Sequence, residues 1–464
     1  MKVKSLLNSW IYRDLTYMGK ITVIKSLALP LLIQSLTVLP NPPKEIIDEI
    51  EKTFFSFLWN NKPDKIKRRV IINNYDKGGL KMPHIESFSM SLKITWINKL
   101  LDPTNISPWK TLLMDKYTKL GGDKIWMMND FSLGKIARHF NIFWQDIFMN
   151  WGKLRKNEIN EKQDVLSQSI WFNEKLKIHN KLVFYEKWCE AGIFFINDLL
   201  DENNEIFSFE KFIETYSIDT IFLTFNGILH MIPKEWKENI HMAEKIPYVT
   251  CSLFEQAKRN KKCCQFFYQQ YLSLIAEIPE KQHLKWQELL EFDVENWDYI
   301  HKLPFKCTRN NKLSIFQYKI LHRILATNSF LYKCHLKETH MCTFCTETKE
   351  TILHLFWECN IVRNLWLEIV EEFKDRCNLE IPVSSLSVIL GSEDFDLSVN
   401  FYIVLIKYYI YSCKLSGTIP TAFGVRNMLK QTYNMEILSA TMSKTPAIKV
   451  KIENKWSTVK NMIL

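Results

Sequence analysis

A mainly α, multi-domain helical architecture with few short strands is predicted by three features of this chain. It has 464 residues, about three times the usual single-domain length, which predicts two to four domains. Only 12 of them are glycine, and apolar residues recur at three- and four-residue intervals through Leu/Ile/Lys/Glu-rich stretches, whereas strand-like alternation is scarce. The hydrophobic share of 47% and the charged share of 24% are those of a globular protein with material for large cores, and argue against long disordered stretches.

The elements follow in order. Residues 5–37 carry helical periodicity, with Leu6, Trp10, Leu15, Ile21, Ile24, Leu27, Leu31 and Ile33 available for one face. Pro30 should kink or end a helix there, and Pro40, Pro42 and Pro43 mark a turn. A second helix is predicted from about Lys44 to Trp59, with Ile46, Ile47, Ile50, Phe54, Phe57 and Leu58 as its core stripe. Residues 60–70 form a basic connector, after which Ile66, Val70, Ile71 and Ile72 could make a short strand; Gly78 and Gly79 mark a tight turn. Residues 86–101 return to helix. Residues 102–250, with Trp109, Trp126, Trp144, Trp151, Trp171 and Trp188, read as a connected helical region without repeats. Residues 281–332 are again helical. A helix bearing Val362, Leu365, Trp366, Ile369, Val370 and Phe373 comes after the cysteine-rich stretch 342–359, and the tail 384–464 holds two or three more helices. The run Phe401 to Cys413 is interrupted by Lys407 and is shorter than the ~20 residues of a membrane span, so it reads as a buried helix and no membrane partner is expected.

The formal net charge of +10, from 61 Lys+Arg against 51 Asp+Glu, suits a polyanionic partner such as RNA or DNA, but is equally what a lysine-rich soluble protein shows. Eleven cysteines in an odd count, and a start without a long apolar segment, predict a reducing, intracellular compartment.

The sharpest chemical signal is Cys342-x2-Cys345-x8-His354-x4-Cys359. Two cysteines three apart can turn both sulfurs to one side of a knuckle, and a histidine and a cysteine from the next helix can complete a tetrahedron. Zinc accepts three sulfurs and one nitrogen, and a closed four-ligand site is structural. Thiolates exclude Mg2+ and Ca2+ as natural occupants. His354 and Cys359, five apart, would be ~140° apart on an ideal helix, so Cys359 must sit where the helix frays or turns, or the site is distorted. The bland alternative is chance cysteines; His340 and Cys334 are possible substitute ligands.

Other candidates are weaker. Asp394 and Asp396 flank Phe395 and could bind Mg2+, but Ser392, Glu393 and Asp394 read better as the cap of the next helix. No P-loop, no glycine-rich dinucleotide motif and no Asp-Asp dipeptide occurs; two-metal phosphoryl transfer needs converging carboxylates, so no catalytic residue is assigned. Arg13, Lys20 and Lys25, together with Lys62, Lys65, Lys67, Arg68 and Arg69, could track phosphates, or could simply be solvated. The cluster Lys258, Arg259, Lys261 and Lys262 runs into Phe266, Phe267, Tyr268 and Tyr271, which could stack unpaired bases or lie in a buried helix.

Several blocks together resemble one family. The run from Trp10 through Arg13, Leu15, Gly19 and Lys20 to Lys25 is similar to the segment after the reverse-transcriptase palm in long-interspersed-element type, non-LTR retrotransposons. Phe57 to Trp59, the basic connector, and Lys77 to Pro83 resemble its next block. Trp286, Trp297 and the run Phe316 to Arg323 resemble the approach to its zinc segment, which Cys342, Cys345, Glu350, His354, Trp357 and Cys359 resemble in turn; Ile406, Lys407, Lys455 and Trp456 resemble the family's sequence beyond that segment. The blocks keep the family's order over nearly the whole chain. The resemblance implies a thumb-like segment (1–60), a wrist-like helical connection (61–280), a helical region with the zinc segment (281–383) and a helical tail (384–464). It implies that Arg13, Lys20 and Lys25 touch nucleic-acid backbone, that Cys342, Cys345, His354 and Cys359 hold zinc, and that the chain grips template RNA and primer in a ribonucleoprotein of nucleus and cytoplasm. The family's endonuclease, fingers and palm with its paired aspartates are missing, so its polymerase activity does not carry over; an upstream polymerase domain would be a partner if the chain is a truncated copy. The other expectation is a host-recruited zinc-containing scaffold for protein contacts.

Overall fold

The computed structural model describes residues 2–155, 165–203, 205–242, 249, 251–260, 262–442 and 446–463. It is mainly α, with one two-stranded antiparallel hairpin, Lys177–Ile178 paired with Lys181–Leu182. No single helix among the described residues is long and apolar enough to cross a membrane.

The chain forms two compact units that interleave along the sequence. One gathers residues 1–28, 53–83 and 276–464, the other residues 29–52 and 84–275. The zinc-motif block and the C-terminal tail therefore share one core, drawn from residues 286–462.

In the unit built mainly from residues 84–275, the helices Ile85–Leu101, Asp130–Ala137, Ile142–Arg155 and Cys263–Ser273 enclose a core rich in tryptophan. Several of its buried indoles find an acceptor, as burial of a polar N–H favours: Trp151 donates to the Trp126 carbonyl at 2.7 Å, Trp126 to the Tyr117 hydroxyl at 2.8 Å, and Trp171 to the Ile193 carbonyl at 2.9 Å. The 266–271 aromatics belong to this core. Phe267 and Tyr271 are fully buried, the Tyr271 hydroxyl donates to the Asn150 carbonyl at 2.7 Å, and the Tyr268 hydroxyl accepts from the His84 amide at 3.2 Å. Helical spacing alone could not separate a stacking platform from a core stripe; packing decides for the core. Of the basic run before it, Arg259 pairs with Glu255, and Lys261 lies outside the described residues.

In the other unit, the helices Trp297–Cys307, Asn311–Leu321, Asn360–Cys377 and Leu397–Ser416 surround the second core. The apolar run around Lys407 is a buried helix. The Lys407 ammonium is wholly enclosed, donates to Gln317 Oε1 at 2.6 Å and the Ile389 carbonyl at 3.2 Å, and is brought down by burial to a pKa of about 7.

Two local expectations fail. Ile66, Val70, Ile71 and Ile72 do bury their side chains, but as the end of a connector and the short helix Arg68–Ile71, not a strand. A short apolar run fits either element, and no partner strand lies beside it among the described residues. The 5–37 stretch is not one periodic face. It breaks into Lys2–Trp10, Tyr17–Val23, a π-helical turn Ile24–Ala28 and Pro30–Val38, leaving Leu27, Leu31 and Ile33 exposed. Pro30 opens the last of these, where its missing N–H costs nothing. The helix Lys44–Leu58 matches the predicted stripe except for the exposed Ile46. At 78–79 the turn is obligatory: Gly78 has φ +78°, and a Cβ on Gly79 would meet the Asn73 carbonyl oxygen at 2.0 Å. Asp396 stands at the N-cap of Leu397–Ser416 without a side-chain bond to it, and Asp394 is held by the Ser392 hydroxyl.

Candidate metal centre

The four predicted ligands converge. Their donor atoms all lie within 4.8 Å of one another. Cys342 Sγ and Cys359 Sγ are 3.9 Å apart, and Cys345 Sγ is 3.4 Å from His354 Nε2. A tetrahedral zinc with Zn–S ~2.3 Å and Zn–N ~2.0–2.1 Å requires edges of ~3.8 Å and ~3.5 Å, so the residues fit the ion. Cys342, His354 and Cys359 are buried and Cys345 is half-buried. Cys334 and His340 stand outside the cluster, His340 edge-on to Tyr332.

Local folding explains the convergence. Cys342 and Cys345 lie on a knuckle closed by the Cys342 amide on the Thr348 carbonyl (2.8 Å) and the Thr346 amide on the Cys342 carbonyl (3.1 Å), and the Phe344 amide points at Cys342 Sγ. His354 to Glu358 form a π-helical turn, and the Cys359 amide donates to the His354 carbonyl at 2.9 Å, five residues back. That wider turn returns Cys359 to the side of His354, which an α-helical turn would not do. Cys359 then caps the helix Asn360–Cys377. Its thiol is drawn down to about 7 by the hydrogen bond from Cys342, with the Val362 and Ile361 amides assisting against the cost of burial. The Cys342 thiol is correspondingly pushed up.

One carboxylate behind the knuckle carries much of its support, and spacing alone did not reveal it. Glu350 is fully buried. Its Oε2 accepts from the Thr343 amide at 2.9 Å and the Thr343 hydroxyl at 2.8 Å, and its Oε1 accepts from the Asn328 amide at 2.7 Å. The Lys414 ammonium lies 3.5 Å from Oε1 and also donates to the Ala326 carbonyl at 2.6 Å. Glu350 thus fastens the residue next to Cys342 to the helix Asn328–Lys333 and, through Lys414, to Leu397–Ser416.

The predicted basic residues divide. Lys20 is a correction: it is 2% exposed, and its ammonium donates to the Phe57 and Leu58 carbonyls at 3.0 and 3.3 Å and to Asn60 Oδ1. It neutralises the C-terminal end of Lys44–Leu58, so no phosphate can reach it. Arg13 is exposed with its guanidinium over the Trp10 ring at 4.0 Å. Lys25 is exposed, and its pKa is lowered by desolvation first and then by the like charge of Lys81. Lys62 and Lys65 are exposed, and Lys65 is lowered by desolvation and then by Lys62. Lys67 and Arg69 share Glu277 at 3.0 and 3.1 Å, and Arg68 pairs with Asp64 at 2.8 Å. Glu277 lies over two hundred residues away in sequence, beyond the reach of any local reading.

Comparison with known families adds one finding to this geometry: residues 285–366, which include all four converging ligands and Glu350, match the family described as zinc-binding in reverse transcriptase, and so mark a reverse-transcriptase-associated zinc-binding segment.

Proposed function

We propose that this chain is a nucleic-acid-gripping C-terminal portion of a long-interspersed-element type, non-LTR reverse transcriptase, with a structural zinc and no catalytic carboxylates of its own. The observation that carries the reading is the four-ligand cluster lying inside the reverse-transcriptase zinc-binding match. Four protein ligands leave no open position on the ion, so the metal's work is to fix the knuckle against the surrounding helices. The exposed cations Arg13, Lys25, Lys62 and Lys65 support contact with RNA and DNA backbone: Lys25 is crowded by Lys81 and Lys65 by Lys62, an arrangement relieved by phosphate. Lys67, Arg68 and Arg69 reach phosphate only in competition with Glu277 and Asp64. Residues 1–60 would be a thumb and 61–280 its helical connection, joined to an upstream polymerase domain in a ribonucleoprotein.

The test is binding of a structured RNA and a DNA duplex by zinc-loaded protein over ~50 to ~200 mM salt. Affinity should fall steeply, and Lys62→Gln with Lys65→Gln should weaken binding of all sequences and flatten the log–log salt slope by about 0.9 for each duplex phosphate no longer neutralised. Failure of the folded, zinc-loaded chain to bind at ~50 mM salt overturns the reading.

A further inference from the structure

A cavity of about 320 Å³ opens beside the zinc segment, lined by Trp286, Arg323, Phe330, Lys333, Lys349 and Glu358 among others. Three cations against one carboxylate make its lining net positive. Arg323 is set into it in an unusual way. It comes just after the helix Asn311–Leu321, where the Ile324 amide returns to the Lys319 carbonyl at 2.9 Å, and it takes φ +57° at a place where helices commonly use glycine. An arginine pays for that backbone in strain, and such strain gathers where a side chain has a task. The guanidinium lies 5.0 Å over the Trp286 ring, whose own N–H is fixed on the Leu321 carbonyl at 2.9 Å. Arg323 Nη1 is buried and donates to nothing among the described residues. Glu288, whose charge acts on it, is engaged by Lys285 at 2.7 Å. Lys333 and Lys349 are exposed at the mouth.

We infer that this cavity is a phosphate site for an unpaired nucleotide of a nucleic-acid strand, with Arg323 as the ligand inside and Lys333 and Lys349 at the entrance. The inference rests on the nucleic-acid reading above and deepens it. Arg323 is only half-buried and lines the cavity, and a planar guanidinium is the group that meets phosphate in a two-point fashion. The volume lies at the low end for small-ligand pockets, which admits one nucleotide and excludes a duplex. Glu358 at the rim disfavours a second phosphate beside the first.

The experiment titrates zinc-loaded protein with a single-stranded RNA of about 20 nucleotides by fluorescence anisotropy across salt, and with inorganic phosphate by calorimetry. Arg323→Gln should lower strand affinity about tenfold and reduce the salt slope by about 0.7, the share of one phosphate contact on a single strand, with zinc content and melting temperature unchanged. Arg323→Lys should restore part of it. Lys333→Gln with Lys349→Gln, both at exposed positions, provides the same reading should Arg323→Gln fold poorly. If the wild type binds the strand and these variants bind it with equal affinity and slope, the phosphate site is overturned while the nucleic-acid reading stands. Binding of inorganic phosphate through Arg323 without strand binding overturns the nucleotide assignment and the nucleic-acid reading together. Binding of neither does the same and removes the anion site as well.

Discussion

Glu350 shows how much a single side chain can hold. Replacing it by glutamine leaves Lys414 buried without its counter-charge and weakens the acceptors of Thr343 and Asn328. Breaking one side of a buried ion pair costs about 3–5 kcal/mol, so Glu350→Gln should lower unfolding stability by about that much in urea titration, and adding Lys414→Met should recover part of it. No recovery in the double variant would show that the pair is not what holds the knuckle. Cys345→Ser is the parallel test of the metal: zinc content should fall from about one per chain, as a closed site implies, with a lowered melting temperature. Full zinc loading at an unchanged melting temperature would refute the site. His283, His301 and His322 make stability depend on pH. They pack as one buried group, with His283 Nε2 and His301 Nε2 2.7 Å apart and Trp297 stacked on His283 at 4.0 Å. Burial is the foremost cause and brings them to about 4, 2 and 3; Asp298 opposes it at His283, the like charges of His322 and His283 add to it at His301, and at His322 the Gly78 backbone opposes it while His283 adds to it. The folded values lie below the ordinary ~6.5 of the unfolded chain, so below pH ~6.5 the unfolded state binds more protons. Stability is full above that pH and drains as pH falls toward ~4, by up to about 1.4 kcal/mol per pH unit for each histidine. His301→Gln should flatten that slope by one histidine's share in denaturation at about pH 6 and about pH 5, with zinc content followed alongside; an unaltered slope would exclude the cluster as its source.

The elements differ in how legible they were. Lys44–Leu58 and Asn360–Cys377 could be read from periodicity because each buries one stripe against a core, whereas Ile85–Leu101 is buried on all sides over Ser89–Ile94 and shows no single stripe. The broken start of the chain could not, because a π-helical turn at Ile24–Ala28 shifts the phase and the outcome depends on what packs there. At the metal the reading reached further: five-residue spacing between His354 and Cys359 demanded a departure from α-helix, and the π-helical turn His354–Glu358 is that departure. A turn of this kind has poor intrinsic stability and should rely on the ion. Chelation should therefore speed amide exchange through His354–Glu358 and the first turn of Asn360–Cys377, while Ile85–Leu101, in the other unit, keeps its protection. Equal protection with and without chelator would mean that the turn stands by packing alone.

At the scale of the molecule, the two cores are built from different material: one from tryptophans spread over residues 126–188, the other around the cysteine knuckle and the C-terminal helices. Their interleaving was not visible in sequence, because it depends on pairs such as Lys20 with Phe57 and Lys67 with Glu277. Calorimetry with and without zinc should accordingly shift one unfolding transition and spare the other; a uniform shift of a single transition would show one cooperative body. The bond between Glu350 and Lys414 also sets an order in time. Chains fold from the N-terminus as they leave the ribosome, and all four sulfur and imidazole donors emerge well before Lys414 does. A nascent chain halted between them carries a complete ligand set over a carboxylate that has its hydrogen bonds but lacks its counter-charge, so secure capture of the ion waits until the helix Leu397–Ser416 has been synthesised.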